Sequence, residues 1–299
     1  MPTEALALGA ITLLAAIVNG ALGYGFSSIT VPLALLFLTN RVLNPALVPV
    51  EVVLNAYVLW VNRASLPQVR SRVLPIIIGI APGVLVGTML VSRVHPEWLK
   101  FATFASLLPL ILLQAAGFRR PVRAERTFGL TLGSGVGLLY AVTTISGPPL
   151  AVMLNNQGLA KGEFRAAMGI IRLAESSLTA VAYIYAGLYT AHSMALIPLI
   201  VPSLVVGVPL GAWVIRHVDA ETFRRVCMSF DAWVVGFGIS VLLRALHLVE
   251  GSAAFLVLAA VIAVDLVLLY RFFSRPRGAG APPGPAPHLK NAYADADHR

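Results

Sequence analysis

Residues 5–39 read ALALGAITLLAAIVNGALGYGFSSITVPLALLFLT. The stretch holds no acidic or basic side chain. As one α-helix, its residues would run about 52 Å, against a bilayer hydrocarbon core of about 30 Å. The chain must therefore break inside it. Gly23-Tyr24-Gly25-Phe26-Ser27-Ser28 supplies the break, because glycine reaches backbone conformations that other residues avoid. Pro32 follows within the first turns after the break, where proline is tolerated.

The same design recurs. Residues 143–156, TTISGPPLAVMLNN, lie without a gap over residues 27–40, SSITVPLALLFLTN. Ile, Pro, Leu and Asn coincide, with three further Ser/Thr matches. Leu22 and Tyr24 fall on Leu138 and Tyr140. After a four-residue insertion, Pro82-x4-Gly87 falls on Pro202-x4-Gly207. Prolines and Ser/Thr runs kept in register argue for a true repeat over chance likeness between apolar helices. The predicted organisation is a first transmembrane repeat (1–117), a basic linker (118–127) and a second repeat (128–245). An extra transmembrane helix (246–274) and a Pro/Gly-rich, polar tail (275–299), expected to be disordered, complete it.

The composition sets the class. Of 299 residues, 58% are hydrophobic and 12% charged, too apolar for a soluble domain whose surface must face water. Apolar runs of spanning length recur from end to end, which predicts an all-α polytopic membrane protein. No short alternating segments of a membrane β-barrel are present. The first apolar run has no basic leader and reads as retained. The single Cys227 excludes an intrachain disulfide and a cysteine metal cluster. The net charge of +9 belongs in loops on one side of the membrane, not on a nucleic-acid face.

Loop charge decides how the breaks are built. If each broken segment is a hairpin returning to its own side, that side pattern leaves Arg41, Arg93, Lys100 and Arg244 on one face. Seventeen of the remaining Lys and Arg residues fall on the other, with Arg172 alone inside a span. A single crossing at each break spreads the charge far more evenly. The positive-inside bias selects hairpins, with the N-terminus outside and the tail in the cytoplasm. One hairpin and three crossings per repeat then invert the second repeat relative to the first. Inverted repeats with broken helices around a midplane site mark secondary transporters.

The chemistry gathers at the two breaks. Ser27, Ser28 and Thr30 precede a short helix expected at 29–39; Thr143, Thr144 and Ser146 precede another, with Gly147, at 148–155. Helix N-termini offer unpaired N–H groups and positive partial charge, so two of them meeting in mid-membrane make an anion site with hydroxyls as further donors. The alternative is that these hydroxyls only cap and glue helices. Tyr24 and Tyr140 flank the breaks. Arg172, in MGIIRLAESSLTAVAYIYAG, costs at least about 2.5 kcal/mol to bury; it faces a bound anion, or is neutralised by Glu175 or Glu51. Glu51 and Glu175 are candidate proton carriers, since burial favours the neutral carboxyl. Asp231 and Asp265 are further intramembrane acids without an assigned role. Gly133-Ser134-Gly135-Val136-Gly137 reads as close helix packing, not as a dinucleotide loop. Trp60, Trp98 and Trp213 read as interfacial anchors. No nucleophile–base set, metal motif or cofactor motif is present.

At these residues the chain resembles the sulfite exporter TauE/SafE family of bacterial membrane permeases. The likeness rests on Gly23-Tyr24-Gly25 followed by Pro32, on Ser146-Gly147-Pro148-Pro149 with the later Lys161-Gly162-Glu163-Phe164-Arg165, and on the two Pro-x4-Gly elements. It implies movement of sulfite, sulfoacetate or related sulfonates across the bacterial inner membrane. The combined expectation is a proton-coupled secondary exporter of a small anion. A channel-like pore and a non-transporting membrane scaffold are the rival readings.

Overall fold

The computed structural model describes residues 2–22, 25–116, 126–155, 159, 161–218 and 220–274. Among these residues all regular structure is helical. The helices are α1 (Pro2–Leu22), α2 (Phe26–Ala34), α3 (Asn40–Val61), α4 (Leu66–Arg93), α5 (Pro96–Ala115), α6 (Arg126–Thr143), α7 (Gly147–Asn155), α8 (Lys161–Tyr185), α9 (Ala191–Val214), α10 (Ala220–Ala245) and α11 (Leu256–Ser274). Eight of them, all but α2, α6 and α7, are long and apolar enough to cross a bilayer. Helices α2 and α7 have nine residues each, about 14 Å, which reaches only half-way.

The first break forms where the sequence places it. Gly25 adopts a left-handed φ of 108°, and a β-carbon built on it would lie 3.4 Å from Val18 Cγ1. In a continuous helix, residues seven apart are separated by about 10 Å along the axis. The chain has therefore doubled back. The short helix differs from expectation: α2 covers 26–34, not 29–39. The left-handed turn at Gly25 lets helical geometry begin at Phe26, so Ser27 and Ser28 join Thr30 inside the helix instead of lying ahead of it. The second short helix starts at Gly147, close to expectation. The two starts are 121 residues apart (147 less 26), not 116. The gapless overlay of the two stretches thus matches residue types without matching turns.

Contacts fix the helix directions. Gly79, Gly83 and Gly87 of α4 meet Leu130, Ser134 and Leu138 of α6 in step, so these helices run parallel. Helices α1 and α9 also run parallel: Gly207 meets Leu13 and Ala16, and Gly211 meets Ile17 and Ala21. Helices α3 and α8 run antiparallel: Ser65 beyond α3 meets Gly162, Leu59 meets Gly169, and Glu51 meets Arg172. Neighbours exchange consistently between the two halves. Helix α1 packs on α9 as α6 packs on α4; α2 touches α10 as α7 touches α5; α3 packs on α8 and α5 on α10.

Glycine makes the two parallel contacts possible. A β-carbon at Gly87 would stand 2.7 Å from Ala141 Cβ, and one at Gly207 would stand 2.5 Å from Ala16 Cβ. Both contacts lie far inside van der Waals distance. These are the small-residue crossings by which helices associate where water gives no hydrophobic drive. Gly133 and Gly137 face α4 in the same way, as the packing reading of that segment requires.

Two apolar cores result. The larger joins α1, α2, α3, α5, α9 and α10, with Val261 of α11 at its edge; the other joins α4, α6, α7 and α8. Helices α3 and α8 meet along the seam between them. Helix α11 lies outside, antiparallel to α10, with Gly236 against Val261. Asp265 explains its attachment. Its buried carboxylate accepts from Arg225 Nη2 at 2.7 Å, Ser229 Oγ at 3.3 Å and Trp233 Nε1 at 3.1 Å, all from α10. Arg225 is thus part of a buried pair, not a loop charge.

Candidate functional site

A helix that stops inside a membrane leaves carbonyl groups without partners, and lipid supplies no donor. The end of α6 shows how this chain answers. Asn40 and Asn44 of α3 donate their side-chain N–H groups to Val142 O at 3.1 and 2.7 Å. The Tyr183 hydroxyl of α8 donates to Ala141 O. Thr143 Oγ1 donates to Leu139 O at 2.7 Å and accepts from the Ile145 N–H at 3.0 Å. Thr144 Oγ1 donates to Thr143 O at 2.7 Å. Thr144 holds φ 56°, an unusual conformation for a β-branched residue, and this turn reverses the chain into α7. The Thr143 and Thr144 hydroxyls are thus bonded to the local backbone.

The serines do something else. Ser27 Oγ donates to Glu51 Oε1, and Ser146 Oγ donates to Glu175 Oε2 at 2.5 Å. Each break thus touches one glutamate on the long helix that follows it. One cation lies near both glutamates and pairs with Glu51. Arg172 Nη2 lies 3.2 Å from Glu51 Oε1 and sits one helical turn before Glu175 on α8. Tyr140, just ahead of the second break, donates its hydroxyl to Glu51 Oε2 at 2.6 Å. The two breaks are joined through these bonds. Glu51 and Glu175 are fully buried and Arg172 is 4% exposed.

Of the two carboxylate partners considered for Arg172, Glu51 is the one it engages. The ion pair lies in the seam between helices of the two halves, spanning 121 positions. Thr30 is buried, with Oγ1 lacking a partner. Gly147 is buried at the start of α7. Ser28 is half-buried and takes no part in these hydrogen bonds. Tyr24 lies outside the described residues. The backbone contributes less than the idea of two facing helix N-termini supposes: Pro148 and Pro149, the second and third residues of α7, have no N–H to offer.

The seam extends beyond the predicted residues. Asn40, Asn44, Glu51 and Asn55 lie on one face of α3 over about 22 Å, and Arg172, Glu175, Thr179 and Tyr183 on one face of α8. Among the described residues, ten buried side-chain polar atoms lack a partner, and six belong to these two faces: Asn40 Oδ1, Asn44 Oδ1, Asn55 Nδ2, Arg172 Nε, Glu175 Oε1 and Thr179 Oγ1. Buried polar atoms are almost always satisfied, so their concentration here makes this seam the candidate site. The asparagines, Thr179 and Tyr183 were not foreseen, although their helical spacing was readable. Asp231 is buried in α10, outside this cluster. Among the described residues, no group of three or more His, Cys, Asp or Glu side chains is placed to hold a metal ion.

No curated protein and no solved structure matches the chain. The family model described as sulfite exporter TauE/SafE matches residues 8–236, a stretch that contains both breaks, Glu51, Arg172 and Glu175. The chain belongs to the TauE/SafE sulfite exporter family of multi-pass membrane transporters.

Proposed function

We propose that this protein is a proton-coupled secondary transporter of a small anion such as sulfite or a sulfonate, binding it between the two breaks. The observation that carries this reading is the convergence of Ser27, Ser146, Tyr140 and Arg172 on one buried seam with orphaned polar atoms. Arg172 and the hydroxyls supply the donors an oxyanion needs; Glu51 and Glu175 supply places for protons. The exchange of neighbours between halves and the antiparallel course of α3 and α8 support two inverted repeats in the membrane, each able to open the seam to one side. The closed, fully buried centre favours a carrier over an open pore, since passage requires the halves to move.

Purified protein in liposomes tests the reading. Sulfite, methanesulfonate and acetate should be compared as entrants, with and without the same anion trapped inside. Saturable entry, accelerated by trapped anion, is expected for at least one of the sulfur oxyanions. Flux that never saturates and shows no counterflow would mean a pore, and no flux for any anion would mean a scaffold.

A further inference from the structure

Glu51 already holds the donors that a substrate oxyanion would use. Oε1 accepts from Ser27 and from Arg172 Nη2 at 3.2 Å, and Oε2 accepts from the Tyr140 hydroxyl at 2.6 Å. A guanidinium and two hydroxyls converging on two oxygens is a binding set for a small carboxylate or sulfonate. Here a side chain of the protein fills it.

Charge balance leads the same way. The titratable groups facing Glu51 are Tyr140 from α6 and Arg172 and Glu175 from α8. Helix α2 carries no titratable side chain, α9 carries only His192 in its first turn, and the acidic and basic residues of α4 and α5 lie within two turns of their ends. With both glutamates ionised, the buried group bears one net negative charge. An arriving monoanion would raise it to two, in surroundings where uncompensated charge is costly. One proton neutralises the empty group. A second makes room for the anion.

We propose that Glu51 is the site's resident anion and its proton carrier. Ionised, it holds Arg172, Ser27 and Tyr140 in the empty state; protonated, it hands them to the substrate. The proton arrives from water on one side, rides on a Glu51 carboxyl oxygen and leaves to water on the other. Proton and monoanion therefore cross together, one for one, and the loaded centre is neutral. The net direction follows the combined gradients. An acid outer compartment drives the anion inward, and export proceeds only against a proton gradient shallower than the outward anion gradient.

This mechanism rests on the carrier reading above, and the test separates the two. Liposomes holding the protein and a pH-sensitive dye receive methanesulfonate, which stays singly charged near neutral pH, or sulfite. Anion entry should acidify the lumen, and a potassium–valinomycin potential should leave the rate unchanged. Flux that follows the potential and moves no protons would overturn the proposal and leave a carrier standing; no flux of either anion would overturn the carrier reading itself. Glu51→Gln should still exchange anion for anion, lose the acidification and become sensitive to the potential. A variant that still moves one proton per anion sinks the idea. The wild-type protein gives an arm that needs no variant. The half-saturating anion concentration, read from thermal stabilisation, should rise about tenfold per pH unit where Glu51 is ionised. A value independent of pH overturns the proposal.

Discussion

Thr144 and Arg172 show what single residues contribute. Thr144 sits at φ 56° with its hydroxyl turned to its own backbone. The left-handed region costs a non-glycine residue about 1–2 kcal/mol, so Thr144→Gly should hold or raise thermal stability in detergent by up to that amount. A large loss would show that the threonine side chain packs for a purpose its hydrogen bonds do not reveal. Arg172 was legible in the sequence as a lone cation in an apolar span. Its partner was not, because Glu175 lies one turn away on the same helix and Glu51 in the corresponding span of the first half, and only packing between the halves chooses Glu51. Arg172→Lys keeps the charge and loses the planar fork. Losing one charge-assisted hydrogen bond is worth about 1.5–3 kcal/mol, so half-saturation for the anion should weaken about tenfold or more, at normal membrane yield. Transport at wild-type affinity would leave Arg172 as a structural ion pair alone.

Helices carry their own logic. The breaks were readable from length, since no spanning helix needs the full 5–39 run, but the start of α2 was not. Gly25, by taking φ 108°, moves that start ahead of the serines. The glycine ladders were visible as residues and acquire meaning only through their partners. Gly83 faces the Ser134 carbonyl and Leu138 of α6, whereas a β-carbon on Gly135 meets nothing within 4 Å. Gly83→Val should cost at least 1–3 kcal/mol by forcing α4 from α6, while Gly135→Val should stay within about 0.5 kcal/mol, both read by thermal unfolding. Equal effects would remove the close crossing from the account. Asp265 could not be assigned from sequence, because its partner lies 40 positions away on α10. Asp265→Ala leaves the Arg225 cation buried without its counter-ion, at a cost of about 3–5 kcal/mol. Replacing the pair together, Arg225→Met with Asp265→Leu, should recover most of that, with anion flux retained. If the double variant is no more stable than the single, the pair does not hold α11 by charge.

The whole molecule is ordered by direction. Helix α3 and helix α5 point one way, with α4 between them pointing back. If the α6–α7 segment crossed the membrane, α8 would run parallel to α3. It runs antiparallel, with Glu51 beside Arg172 and Leu59 beside Gly169, which supports our proposal that α6 and α7 return the chain to the side it left. The parallel pairs α1 with α9 and α4 with α6 require the same of α1 and α2. On this proposed topology α1, although long enough to span, pairs with α2 as a returning hairpin, and seven helices cross fully: α3, α4, α5, α8, α9, α10 and α11. An odd number puts the two ends of the chain on opposite sides. Loop charge, even after buried Arg225 is set aside, supports our proposal that the tail faces the cytoplasm. Replacing Cys227 and placing single cysteines at Pro2 and Ala294 checks this. In intact cells a membrane-impermeant maleimide should label the cysteine at position 2, and reach the one at 294 only after permeabilisation. Labelling of both from outside, or of neither, would mean an even number of crossings. The two halves would then no longer face opposite sides, and a seam opened by each half in turn would have no second side to open to.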